Sequence, residues 1–129
     1  MLFAIIPAIS SADVTNTTLS DYAYDFASIG YEIEVTGSSY YHNPLNSGDY
    51  FRLMEGDYTM ETMFDGLSRK ARKEFVAFYN KECPHDYGDA DCHITVTGEV
   101  ELDEDMKMVL TANAIKVIKT KSGKTADFN

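Results

Sequence analysis

Arg69, Lys70, Arg72 and Lys73 place four cations within five residues, in a chain that has only eleven lysines and arginines against twenty-one acids. The chemistry open to such a cluster is recognition of anions, on a carboxylate-rich protein surface or a polyanion. Ser68 just before it and the apolar spacing after it put the cluster in the first turn of a helix. The backbone there already carries partial positive charge, so each cation is unfavourable by roughly a few tenths of a kcal/mol. Asp57, Glu61, Asp65 and Glu74 are the carboxylates in the chain that would compensate. Failing them, the anion belongs to a partner.

Catalytic chemistry is thinly supplied. His42, His85 and His93 stand in three separate contexts, and no G-x-S-x-G elbow, H-E-x-x-H helix or phosphate-cradling glycine loop occurs. The chain reads as non-catalytic and as needing no cofactor. Two acidic groups, Asp86 with Asp89 and Asp91, and Asp103 with Glu104 and Asp105, offer the hard oxygen ligands that calcium takes. Neither has the spacing of an EF-hand loop, so solvated turns are the competing reading. A calcium-dependent structural module is kept as one alternative function.

Cys83 and Cys92 are the only cysteines. Pro84 and the polar run from His85 to Asp91 make the stretch between them a loop, which lets the two thiols approach. A disulfide is expected, contributing roughly 2–3 kcal/mol by loop closure. Zinc held by Cys83, His85, Cys92 and His93 is the rival, although the spacing matches no established zinc pattern. Free thiols are the third option.

The elements that must position these residues belong to one domain. The chain has 129 residues, 44% of them hydrophobic, with nine tyrosines and seven phenylalanines spread along it, which excludes disorder throughout. A net charge of −10 and the lack of any lysine or arginine before Arg52 argue against duplex nucleic acid as a partner. No run approaches the roughly 18–20 apolar residues of a membrane span. Residues 1–12, apolar from Met1 to Ile9 and then Ser10-Ser11-Ala12, read as the remnant of a signal peptide cleaved after Ala12. With the disulfide, this predicts a periplasmic or secreted protein. Residues 13–29 form a lead-in, either a short amphipathic helix with Tyr22 and Phe26 on one side or extended chain.

From Tyr31 the period is two. Tyr31, Ile33 and Val35 alternate with Glu32, Glu34 and Thr36, a half-buried strand that bends at Gly37. Tyr50–Met54 and Tyr58–Phe64 read as the next strands, with Glu55-Gly56-Asp57 turning between them. Ser68 caps a helix whose buried stripe is Leu67, Ala71, Phe75, Phe78 and Tyr79, and which Pro84 ends. His93–Val100 is a strand that bends at Gly98. After the turn at Glu101–Asp105 a last strand runs from Met106, extended or followed by Ala114–Ile118. Residues 119–129 read as a flexible tail.

The resulting order β-β-β-α-β-β, with Tyr31-Glu32-Ile33-Glu34-Val35-Thr36-Gly37 and His93-Ile94-Thr95-Val96-Thr97-Gly98-Glu99-Val100 as long strands that each bend after Val-Thr, resembles the OB-fold. The resemblance covers residues 30–118 and implies a mainly β domain with one helix, a five-stranded Greek-key barrel. The last two strands also resemble those of small exported OB-like proteins of bacteria. The resemblance implies binding across the second and third strands, and so a surface drawing on Tyr50, Arg52 and Tyr58, with Tyr40 and Tyr41 beside them. The expected function is a non-catalytic binding or adaptor module of the cell envelope or extracellular space. It would engage a protein or envelope component through that face or through Arg69, Lys70, Arg72 and Lys73. Single-stranded nucleic acid on the same face is the other alternative.

Overall fold

The computed structural model describes residues 15–22, 29–40, 50–83, 92–120 and 122–129. The apolar start at 1–12, Tyr41, His42, His85 and the acidic group Asp86, Asp89 and Asp91 lie outside the described residues. The elements in chain order are β1 (Thr15–Thr17), α1 (Leu19–Tyr22), β2 (Glu32–Tyr40), β3 (Tyr50–Glu55), β4 (Tyr58–Met63), α2 (Arg69–Glu82), β5 (His93–Leu102), β6 (Met108–Lys119) and β7 (Ala126–Phe128).

Strand β2 alternates because one face is buried: Ile33 and Val35 are inside, Glu34 and Thr36 outside. It pairs antiparallel with β5 from Glu32↔Glu99 to Ser38↔His93, and with β3 from Ser38↔Met54 to Tyr40↔Arg52. Strands β3 and β4 form a hairpin, β4 lies parallel to β6 at Glu61–Met63, and β6 pairs back along β5. The circuit β2-β3-β4-β6-β5 therefore closes on β2. This is the five-stranded OB-like barrel, with its helix between the third and fourth barrel strands.

Closure needs both strands that end Val-Thr-Gly to bend. At Gly98 the β5–β6 register shifts, and a Cβ there would lie 2.2 Å from the Thr111 carbonyl oxygen. At Gly37, where β2 passes from β5 towards β3, a Cβ would lie 2.6 Å from the Met54 carbonyl oxygen. Only glycine permits those backbone approaches.

Helix α2 closes one end of the barrel. Ser68 Oγ accepts the Ala71 N–H at 3.1 Å, and the Cys83 N–H donates to the Tyr79 carbonyl at 2.9 Å. Ala71, Phe75 and Tyr79, four residues apart, are buried, with Leu67 just ahead of them. The Phe75 ring is central: its centroid lies 5.6 Å from Phe51, 5.3 Å from Phe64 and 5.7 Å from Tyr79. Burying a side chain of that size contributes about 2–3 kcal/mol. A Cys83–Cys92 disulfide then ties the end of α2 to the start of β5.

Two segments do more than their sequences suggest. The lead-in supplies β1, parallel to β2 from Thr15↔Ile33 to Thr17↔Val35, and the single turn α1, whose fully buried Leu19 donates its N–H to Glu55 Oε1 at 2.8 Å. The expected flexible tail is corrected by β7, which pairs with β6 from Ile115↔Phe128 to Val117↔Ala126. Phe128 packs on Phe75 and Phe78 and is 7% exposed, because the aromatic face of α2 would otherwise meet water.

Candidate functional site

The outer surface of β3 and β4 alternates with the core. Phe51, Leu53, Met60 and Thr62 point in, so Tyr50, Arg52, Glu61 and Met63 share the outside. Arg52 lies directly across from Glu61, and its guanidinium sits over the Tyr50 ring, 5.7 Å from the centroid. One guanidinium nitrogen lies 4.0 Å from Glu61 Oε2, and Lys107 reaches the same carboxylate from the β5–β6 hairpin. The hydrogen bond to Glu61 holds the Lys107 ammonium above the usual lysine range. Tyr50 and Arg52 are thus together, but each is already engaged within the chain.

Tyr58 is not with them. It faces the same side of β4 as Met60 and Thr62, and stays 40% exposed because it lies at the hairpin tip, beyond the barrel interior. Tyr40 ends β2 opposite Arg52.

The outer face also brings together residues that are far apart in the chain. Tyr50, Glu61, Met63, Asp65, Glu101, Leu102, Asp103, Val109 and Thr111 line an open groove of about 330 Å³ across β3, β4, β6 and β5. Four of these nine carry carboxylates, so a polyanion laid across the strands meets negative charge. The alternation in β4 that puts Met60 inside already put Glu61 beside Arg52. The approach of Glu101 and Asp103 depends on how the barrel closes.

The turn of Asp103, Glu104 and Asp105 has a structural use. Asp103 Oδ1 accepts the N–H groups of Asp105 at 2.8 Å and Lys107 at 2.9 Å, which shapes the β5–β6 hairpin. Among the described residues, no three metal-binding side chains converge.

The cationic cluster opens α2 as expected. Arg69, Lys70 and Lys73 are exposed and Arg72 is half-buried. Arg72 Nη1 donates to the Asp65 carbonyl at 3.3 Å, while its Nε is buried with no partner. Among the described residues, none of the four cations forms an ion pair. The first turn of α2 contains no acid.

A family described as "Baseplate hub protein, N-terminal attachment domain" matches residues 3–95. The chain belongs to this family. The match takes in β1 to β4, α2 and the start of β5, so most of β5 and all of β6 lie beyond it. It also begins inside the apolar stretch at 1–12. No curated protein matches the chain. Among solved structures, an aspartyl-tRNA synthetase from Leishmania major is similar with a TM-score of 0.64 and 10% identity over 92% of this chain. An asparaginyl-tRNA synthetase from Pyrococcus horikoshii is similar with a TM-score of 0.57 and 11% identity over 81% of this chain. The chain spans 23% of the length of each. At those identities the likeness is one of fold, and it supports the OB-like barrel.

Proposed function

We propose that this attachment domain joins a baseplate hub to a neighbouring protein of the particle, and that the contact is made by Arg69, Lys70, Arg72 and Lys73 on a carboxylate-rich surface of that neighbour. The observation that carries this is that, among the described residues, they have no acidic partners at a helix end whose backbone already disfavours cations. Of the carboxylates that would neutralise them, Glu61 is taken by Arg52 and Lys107, and Asp57, Asp65 and Glu74 form no ion pair with them. A neighbour's carboxylates would gain both the four side chains and the helix end, and the surface charge would steer the two together. The family description favours a protein as the partner over an envelope component. The Cys83–Cys92 bridge supports an oxidising setting, periplasmic or extracellular, for the mature domain.

The test is triple charge reversal, Arg69→Glu, Lys70→Glu and Lys73→Glu, in the hub expressed with the rest of its particle. All three side chains are exposed, so the fold should survive, as judged by an unchanged circular dichroism spectrum. Incorporation of the hub into assembled particles, measured by quantitative mass spectrometry, should fall at least about tenfold. Full incorporation of a folded triple variant would remove the assignment.

A further inference from the structure

Val109 lies on the outer side of β6, between Glu61 of β4 and Glu101 of β5 in the strand register. It is 5% exposed yet does not belong to the main cluster of buried residues. It lies beneath the groove, with Tyr50, Met63 and Leu102 around it. Of the four carboxylates lining that groove, Glu61 pairs with Arg52 and Lys107, and the Lys107 charge also acts on Asp103. Glu101 accepts a hydrogen bond from Thr111 Oγ at 2.9 Å, Asp103 shapes its turn, and among the described residues Asp65, Glu101 and Asp103 form no ion pair.

From this combination we infer that the groove is a second docking site, and that it takes an extended segment of a partner protein carrying lysine or arginine on either side of an apolar residue. The inference rests on reading the domain as a protein-binding one, but uses a surface that leaves out Arg69, Lys70 and Lys73 and meets Arg72 only where its Nη1 donates to the Asp65 carbonyl. In an extended chain, residues i, i+2 and i+4 face one way at about 6.8 Å intervals. The middle side chain of such a set would rest on Tyr50, Met63 and Leu102, the half-buried apolar side chains of the groove, while the outer two would meet Glu101 and Asp103 at one end and Asp65 at the other. An anionic or wholly apolar segment would leave those three carboxylates facing like charge or stripped of water. The domain would then present cations at the α2 end and anions across the strands, joining two neighbours of opposite charge.

The probe is the peptide Gly-Lys-Ser-Leu-Ser-Lys-Gly, titrated into the isotope-labelled full chain and followed by amide chemical shifts, with the version carrying glutamate for lysine as its counterpart. The lysine peptide should move amides at Glu61–Asp65, Glu101–Asp103 and Val109–Thr111, and the glutamate peptide should move none of them. Glu101→Lys should weaken binding about tenfold, while Glu74→Lys, the same change in net charge on α2, should bind as the parent does. Equal weakening by both variants would show attraction to the overall charge alone and overturn the proposal. So would shifts confined to α2, or self-association through the α2 turn of a second copy. The triple reversal of Arg69, Lys70 and Lys73 should leave peptide binding intact, so failure of the α2 assignment and failure of this one are told apart.

Discussion

Phe128 meets Phe75 edge to face, their ring centroids 5.4 Å apart, so the short strand β7 and the helix α2 share one aromatic contact. Ser68 Oγ, which caps α2, also donates to the Asn129 carbonyl at 3.2 Å. The helix that presents the cationic turn is therefore held from its core side by Phe75 and at its N-terminus by the β7 segment. This arrangement gives that turn a fixed orientation on the barrel.

Phe128→Ala should lower the free energy of unfolding by about 3 kcal/mol, since a nearly buried ring leaves a gap against Phe75 and Phe78. Urea denaturation measures it. A loss below about 0.5 kcal/mol would mean that β7 adds little to the hold on α2.

Gly98→Ala should cost about 2 kcal/mol or more, because the new methyl group meets the Thr111 carbonyl, part of a paired strand that cannot swing aside. Gly56→Ala is the comparison. Its backbone has φ +61° but open space around the Cβ, so it should cost only about 1 kcal/mol, from the left-handed conformation. Thermal unfolding of both variants gives the order, and the reverse order would refute the close approach at the β5 bend.

Much of this was legible in the chain and some was not, for physical reasons. The period of two in Tyr31–Val35, the glycines after Val-Thr, the four-residue spacing of Ala71, Phe75 and Tyr79, and the Cys83–Cys92 loop are local patterns, and each specifies its own element. Strand β1 was hidden because Thr15, Asn16 and Thr17 have no apolar alternation; β2 recruits them through backbone pairing. Strand β7 was hidden because Phe128 stands alone in a polar stretch, and its reason for docking is the exposed aromatic face of a helix fifty residues earlier. The pairing of Tyr50 with Tyr58 on one surface failed on strand parity. Position 58 falls on the same side as Met60, and position 50 on the opposite side from Phe51. The groove was hidden since its carboxylates come from β4, β5 and the loops beyond them, and only the closed register brings them together.

Glu82 should give an acid-dependent share of stability. The hydrogen bond from Lys124, helped by its charge and by Ser122, holds the Glu82 carboxyl below its ordinary range despite some loss of hydration. A carboxylate whose folded pKa is lowered stabilises the fold above its unfolded pKa, and that share is lost as pH falls through the folded value. Glu82→Gln should therefore be less stable than the parent at neutral pH and equal to it once the pH is well below the carboxylate range. Urea midpoints across pH 2–7 follow it (about that span covers the carboxylates). A difference that persists unchanged at low pH would assign the effect to something other than this ion pair.

The most direct measurement of attachment is carbodiimide cross-linking of intact particles followed by peptide mass spectrometry. The reagent joins an amine to a carboxylate only where the two already touch. If the cationic turn of α2 is the contact, Lys70 or Lys73 will be found joined to an aspartate or glutamate of a neighbouring particle protein. If Lys81, Lys116, Lys119 or Lys124 links to neighbours while Lys70 and Lys73 link to none, the attachment surface lies elsewhere on the barrel.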